Sequence, residues 1–530
     1  MKNTNYWLLG ILLVSYLVIS ANIGGLDVYA LDEARNATCA REMMKKGEWI
    51  VPTFNGQLRV EKPPLHYYFM MLGYAIFGFG EFGARFFSVI FGLLTIGVTF
   101  LFAKRYLDLK TAVFSALSLT ASIHYSIQFH MAVPDPYLIF FIAAGMFAFY
   151  RGFTEKQPIF LYLAYASLAL GYMCKGPIAL LLPGMSIFFY LIFSRSFTWK
   201  NILKARPFEG LLIAIMVIAP WHIAVGQATQ GEWLRGFYYQ HNVYRFTNTM
   251  EGHGGIFLLT WVFVLIGLLP LVVYLPQALG KAWKDRGLHQ HALLFCLMAS
   301  GSIVLFFSIS KTKLPNYTVP SYPFFAVLLG YYLAHFEWTN RSYRGLQVSS
   351  AVYLLLMLAL AIGAYIGIQF DEALSDLKNV AYYFVLLPIG GVIALYFVFR
   401  KEFEKIVYTQ ILSFIWTTLL FFWFAFPQID RRNPLHVAIP KMNLSKPIIA
   451  HTAFNPAFVF YADKVIPMYG DYASMRAAID QYEEVYIIIR KDRLEEFAQD
   501  KDLEIVVMQR DIFELPTTVV LKKVKHAEKP

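Results

Sequence analysis

Long apolar stretches, broken by short polar loops, recur from residue 7 to residue 426. A helix rises about 1.5 Å per residue, so crossing a hydrocarbon core about 30 Å thick takes roughly 20 apolar residues. On that length the pattern predicts a first helix from Trp7 to about Gly24. Further spans are predicted near 84–103, 111–128, 134–150, 159–173, 176–194, 209–226, 256–276, 291–308, 318–335, 348–368, 380–398 and 409–426. That makes about thirteen spans. The polar/apolar alternation of an outer-membrane barrel strand is absent, so the spans are helices. The first one is long for a signal peptide and lacks a clear small-residue cleavage site, and it reads as a retained helix.

Two segments depart from this pattern. Residues 25–83 alternate polar and amphipathic stretches, with a short helix expected over Asp32–Lys46. The apolar run from Leu65 to Gly80 is too short for a span and suits a re-entrant or interfacial helix. After Phe426 charges cluster and short β-rich runs appear at 447–450, 484–489, 503–508 and 517–521, alternating with helical patterns near 472–481 and 491–499. The expected organisation is therefore a membrane domain over 1–427, with 25–83 as its first outer loop, and a small α/β domain over 428–530.

Composition agrees. Of 530 residues 58% are hydrophobic and 15% charged, against about 25% charged in a soluble domain. The net charge of +11 could suggest nucleic acid, but its placement points to membrane topology instead. Lys104, Arg105 and Lys110 fill one loop, and Arg151, Lys156, Arg195, Lys200, Lys204, Arg206, Lys281, Lys284, Arg286, Arg400, Lys401 and Lys405 fill alternate later loops. Those loops are expected in the cytoplasm. The loops 25–83, 129–133, 227–255, 309–317 and 369–379, and the C-terminal tail, then face outward. Cys39, Cys174 and Cys296 are too few and scattered for a disulfide framework or a thiolate metal site.

The candidate chemistry lies in the outward loops. Asp32 and Glu33 follow the first span; such carboxylates serve general acid–base chemistry, or simply favour a helix N-terminus. In Glu61-Lys62-Pro63-Pro64 the prolines fix the backbone direction of an acid and a base, although a solvated turn would look the same. Asp135, between Pro134 and Pro136, stands where an acid at the membrane boundary is either functional or a helix start. His124 and His130 lie on the neighbouring span end and suit interfacial hydrogen bonding. Three outward groups are basic against the positive-inside rule: Lys175-Gly176-Pro177, His241 to Arg245, and Lys311-Thr312-Lys313 with Tyr317. Together they suggest an anionic ligand at the outer interface. Nucleotide-binding loops and zincin helices are missing, so the energy for any transfer arrives with the substrate.

Taken in order, the motifs Asp32-Glu33-Ala34-Arg35, Gly47-Glu48-Trp49-Ile50-Val51-Pro52, Glu61-Lys62-Pro63-Pro64-Leu65, Asp135 after a Met-Ala pair, Cys174-Lys175-Gly176-Pro177, Pro220-Trp221, His241…Arg245-Phe246 and Lys313-Leu314-Pro315-Asn316-Tyr317 closely resemble one group. It is that of the aminoarabinose transferases that modify lipid A, within the wider protein-mannosyltransferase-like superfamily of polyprenyl-phosphate sugar transferases. The resemblance covers the whole membrane region, and the soluble tail is similar in size and placement. It implies an α-helical polytopic C-type glycosyltransferase fold with a small extracytoplasmic α/β domain, set in a bacterial plasma membrane. The implied donor is a polyprenyl (undecaprenyl) phosphate sugar and the implied acceptor a glycolipid or protein, with no nucleic-acid partner. By the same resemblance Asp32, with Glu33 beside it, is catalytic. Glu61 and Asp135 hold a divalent metal (zinc in the aminoarabinose enzymes), and Lys62, Arg245 and Tyr317 contact the carrier phosphate, with Lys313 and Arg59 as further cations. Arg59 replaces the aromatics that many relatives carry before the Glu-Lys-Pro-Pro motif, which leaves the sugar open.

Three other readings have distinguishing features. A protein O-mannosyltransferase-like enzyme would use Ser or Thr acceptors. A transporter would show repeated halves and polar residues near the bilayer midplane, whereas no repeat is evident and the charges gather at one interface. A scaffold acting through its soluble tail would not need Asp32.

Overall fold

The computed structural model describes residues 2–244, 254–512 and 516–524. Helices dominate. The chain begins with α1 (Lys2–Ile19), α2 (Leu31–Lys46), the two-residue strands β1 (Thr53–Phe54) and β2 (Gln57–Leu58), and α3 (Leu65–Phe77). There follow α4 (Glu81–Tyr106), α5 (Leu109–Ala121), α6 (Ile123–His130), α7 (Asp135–Thr154), α8 (Pro158–Lys175) and α9 (Ile178–Phe193). Local signals explain the breaks. Asp108 caps α5 by accepting from the Thr111 amide, and Ser122 ends α5 and caps α6 through the Tyr125 amide, each side chain satisfying an orphan N–H of a helix start. Gly47 closes α2 in the left-handed conformation (φ +65°) and donates back to Met43 and Met44, the glycine-favoured helix ending.

Among the described residues eight helices are long and apolar enough to cross a membrane, or nine if the pair 259–267 and 271–284, bent by 114°, is one span. The expected thirteen is thus not reached on length. Several expected spans are shorter apolar helices, including 5–19, 109–121 and 178–193, because capping residues and prolines cut the apolar runs. The run expected to be re-entrant or interfacial is α3. At 13 residues it is about 20 Å long, short of the hydrocarbon core.

Helix α3 packs against the start of α4 after a turn through Gly78, and the contact is close. A Cβ on Gly73 would lie 2.0 Å from the Gly83 carbonyl oxygen, a backbone atom that cannot rotate away. Gly73→Ala is therefore expected to destabilise the protein by about 1–3 kcal/mol, read as a lower unfolding temperature in detergent. An unchanged temperature would show that α3 retreats freely.

The C-terminal region folds as a five-stranded sheet of β3 (Ile448–His451), β4 (Met468–Tyr469), β5 (Tyr486–Arg490), β6 (Leu503–Arg510) and β7 (Thr517–Lys523), in the order β4-β3-β5-β7-β6. Strand β3 runs parallel to β4 and β5, β7 antiparallel to β5 and β6, with a register irregularity between Ile505 and Val507. The expected strands and the helix at Tyr472–Asp480 are all present; the two-residue β4 has no hydrophobic run to announce it.

This sheet region is clasped onto the first outer loop. Ala34, Ala37 and Met43 of α2 and Met70 of α3 share one apolar cluster with Phe458, Val459 and Ile488. Buried Arg41 donates to the Phe460 carbonyl (2.6 Å) and the Val459 carbonyl (3.0 Å), and Asn55 exchanges two 2.8 Å bonds with the backbone of Ile466. The loop is thus held between the helical bundle and the sheet.

Candidate functional site

One cavity of about 490 Å³ opens where several helix ends meet. Asp32 and Asn36 reach it from α2, four residues and so roughly one helical turn apart. Arg59, Glu61 and Lys62 come from the segment before α3, Asp135 from the first turn of α7, and Lys175 from the last turn of α8. Tyr238, His241, Ser310, Thr312, Asn316 and Tyr317 complete the polar part, while the rest, including Leu138, Ile178, Leu181, Phe306 and Phe307, is apolar. Cation-rich loops sit at the opposite ends of the same helices: α7 begins at the cavity with Asp135 and carries Arg151 in its last turn, α8 begins just after Lys156 and ends at the cavity with Lys175, and Arg105 pairs with Glu155 just beyond α7 (2.5 Å).

Arg59 is the hub of one half. It is 5% exposed, donates to the Tyr67 hydroxyl (3.0 Å) and the Asn36 side-chain oxygen (3.3 Å), and pairs with Glu61 at 2.8 Å. Trp233, itself buried, donates its indole N–H to the Arg59 carbonyl (3.0 Å). Burial alone would raise the Glu61 carboxyl, but the Arg59 guanidinium and the Lys62 ammonium outweigh it and hold Glu61 below its ordinary value. Opposite charges within a few ångströms favour the ionised form in this way.

The second half is built on Asp135. Its Oδ1 accepts from the Lys175 ammonium at 2.5 Å and from the Asn316 amide at 3.3 Å. Lys175 also lies 5.4 Å from the centre of the Tyr317 ring, within cation–π range. The prolines around Asp135 and after Lys175 leave each charge at a helix end facing the same space.

Of the expected site residues, Asp32, Arg59, Glu61, Lys62, Asp135 and Tyr317 come together on this cavity. Arg245 lies outside the described residues. Glu33 and Lys313 point elsewhere. The Glu33 carboxylate, 3% exposed, grips Arg85 through bonds of 2.7 and 2.9 Å and accepts the Ala132 amide at 2.8 Å. It ties α2 to α4 and has no lone pair directed at the cavity, so it is not assigned to the chemistry. Lys313 turns its ammonium onto the carbonyls of Phe307, Ser308 and Ser310 at 3.3, 2.9 and 2.8 Å. There it caps the helix Ala292–Ile309, whose last carbonyls attract a cation. His130 also fills a structural place, with both ring nitrogens on the carbonyls of Ser126 and Ala21.

Sequence reasoning placed Lys175 among the outward cations suited to an anionic ligand, quoted Asn316 only as part of a motif, and passed over Asn36. Asn36 carries a usable signal, because it repeats the face of Asp32 at the i, i+4 spacing. Asn316 has none, since only the fold brings it to Asp135.

The expected metal has a poor donor set here. Glu61 and Asp135 share the cavity, but each already faces a cation, and the described residues contain no group of three His, Cys, Asp or Glu able to hold an ion. A divalent ion would have to displace Arg59 and Lys175. The residues do not fit a resident metal.

The dolichyl-phosphate-mannose-protein mannosyltransferase family matches residues 61–223, a segment that contains Glu61, Lys62, Asp135 and Lys175. Two uncharacterised Aquifex aeolicus proteins are 31% identical, one over 64% of this chain and 65% of its own length, the other over 69% and 82%. An Edwardsiella ictaluri undecaprenyl phosphate-alpha-4-amino-4-deoxy-L-arabinose arabinosyl transferase is 31% identical over 67% of this chain, and the match spans 64% of that relative. Among solved structures, ArnT from Cupriavidus metallidurans bound to undecaprenyl phosphate superposes with a TM-score of 0.79 at 21% identity, covering 99% of both chains. That likeness establishes the multi-pass fold, sheet region included. Motifs, family match and fold agree on one likeness, that to the aminoarabinose transferase and protein-mannosyltransferase-like superfamily of glycosyltransferases.

Proposed function

We propose that this protein is an inverting glycosyltransferase that moves a sugar from a polyprenyl phosphate to an extracytoplasmic acceptor, a lipid A-type glycolipid by preference. The observation that carries this reading is the join between a charged chamber and an apolar groove. Pro177 and Leu181 line both the cavity and a second, largely apolar groove of about 590 Å³ that continues along α9 past Leu180, Gly184 and Met185 to Phe188. Such a surface suits a prenyl chain, with its phosphate delivered to Lys62, Lys175 and Tyr317. The name of the Edwardsiella relative and the undecaprenyl phosphate held by ArnT support the same donor. The cation-rich loops at the far ends of the helices support an outward-facing chamber, because such loops favour the cytoplasmic side.

The chemistry follows from charge. The anomeric C–O bond to phosphate breaks, and its electron pair leaves with the polyprenyl phosphate, which gains a negative charge. Preplaced cations in a poorly hydrated chamber stabilise that charge as it develops. The acceptor oxygen forms the new bond from the opposite face, inverting the anomeric carbon. A phosphate acceptor has no proton to lose; a hydroxyl acceptor gives its proton to Asp32. The mannosyltransferase family match favours Ser or Thr as a second acceptor class.

The test is donor turnover by purified full-length protein with a panel of undecaprenyl-phosphate sugars and separate glycolipid and protein fractions of a bacterial envelope. Free undecaprenyl phosphate and labelled glycolipid are expected. Lys62→Ala should raise the donor KM about tenfold, the loss of one charge-assisted contact. Label in protein alone would move the acceptor to Ser or Thr, and no turnover of any donor by folded protein would reject the transferase.

A further inference from the structure

The first turn of α2 presents two functional faces. Asp32 and Asn36, four residues apart, line the main cavity, whereas Leu31 and Arg35, also four apart, line a separate pocket of about 90 Å³. Successive residues of a helix are rotated by about 100°, so α2 is the partition between the two spaces. The far wall of the small pocket belongs to the C-terminal sheet. Arg490 ends β5 opposite Thr518 of β7, and Asn455 and Asp511 lie beside them. The Asp511 carboxylate accepts from the Thr518 hydroxyl at 2.6 Å. The pocket is thus lined by two arginines, from different parts of the chain, and one carboxylate, and Arg35 is also near enough to the main cavity to favour ionised Glu61. Both arginines are only partly buried, and a pocket of this volume has room for several waters or one tetrahedral anion.

We infer that this junction pocket binds the anionic group of the acceptor, a phosphate or carboxylate, between Arg35 and Arg490. The inference rests on the transferase reading and adds to it the C-terminal sheet as part of the acceptor site. Guanidinium forks match the oxygen edges of such groups in bidentate fashion. The donor phosphate has its own cations, Lys62 and Lys175, on the other side of α2. A ligand anchored in the junction pocket lies one helix width, about 10 Å, from the main cavity, and its reacting oxygen would reach the anomeric carbon past Asp32.

The test is equilibrium binding of a radiolabelled, bisphosphorylated, acylated glucosamine disaccharide to the full-length protein in detergent, with Arg490→Gln and Arg490→Lys in parallel. Arg490→Gln is expected to weaken binding about tenfold and Arg490→Lys less, because lysine keeps the charge but not the fork. Undecaprenyl phosphate binding should stay at the wild-type value in both. The dephosphorylated disaccharide should bind wild type as weakly as the phosphorylated one binds Arg490→Gln. Equal lipid binding by wild type and Arg490→Gln would overturn the inference, and so would equal losses for donor and acceptor. Competition by inorganic phosphate without any effect of Arg490→Gln on the lipid would assign the pocket to a free ion instead. Each of these failures leaves donor turnover by wild type intact, which separates them from a failure of the transferase reading.

Discussion

Asp32→Asn is expected to lower sugar transfer to a hydroxyl acceptor about a thousandfold, the middle of the range for a lost general base. Asparagine keeps the shape of aspartate but replaces one acceptor oxygen with an NH2 donor, and it cannot take a proton or present a charge. Asp32 is the cavity carboxylate on α2, the helix that separates the main cavity from the junction pocket. Donor affinity should hardly change, because Lys62 and Lys175 on the other walls carry the phosphate. A phosphate acceptor, already ionised, should lose much less than the thousandfold, so the ratio of the two losses reads the acceptor class directly. If Asp32→Asn transferred to both acceptors at the wild-type rate, Asp32 would have no chemical role.

The second large effect is on stability. Arg85 uses all five of its N–H donors: on Glu33 at 2.7 and 2.9 Å, and on the carbonyls of Ile23 (2.8 Å), Leu26 (2.6 Å) and Asp27 (2.9 Å). Its side chain and that of Glu33 are 6% and 4% exposed. Removing one partner of a buried pair leaves the other charged without compensation, a loss of about 3–5 kcal/mol. Glu33→Ala is therefore expected to lower the unfolding temperature strongly and to abolish transfer through displacement of α2. Replacing both residues with apolar side chains, as in Glu33→Leu with Arg85→Met, should recover part of the stability, since the uncompensated charge is gone. If Glu33→Ala unfolded at the wild-type temperature, the pair would be ornamental and the position of Asp32 would depend on the sheet alone.

These two neighbours show what adjacency in sequence conceals. Asp32 and Glu33 look like one acidic motif, and both were expected in the chemistry. They lie about 100° apart on α2; one faces the cavity and the other the bundle, and only the placement of Arg85 in α4 makes Glu33 structural. Lys313 is a similar case. As an outward cation it pointed to a phosphate, but the end of the preceding helix offered its ammonium three carbonyls at shorter range. Asn316 is a third case: its amide matters only because the fold delivers it to Asp135.

Much was nonetheless legible beforehand. The run lengths specified a membrane bundle, because only satisfied helices cross lipid. Loop charge made the two ends of the bundle chemically distinct, the change of pattern after Phe426 announced the sheet, and the prolines beside Glu61-Lys62, Asp135 and Lys175 marked each of them as a separate candidate. All of these are local properties of backbone and hydropathy, and a single sequence records them. The tertiary structure decided which charges face one chamber, which are consumed as struts, and that α2 stands between two pockets with the C-terminal sheet closing the second. Those outcomes depend on distances between residues far apart in the chain, and on the cost of burying a charge without its partner, which selects among arrangements that the local pattern leaves equal.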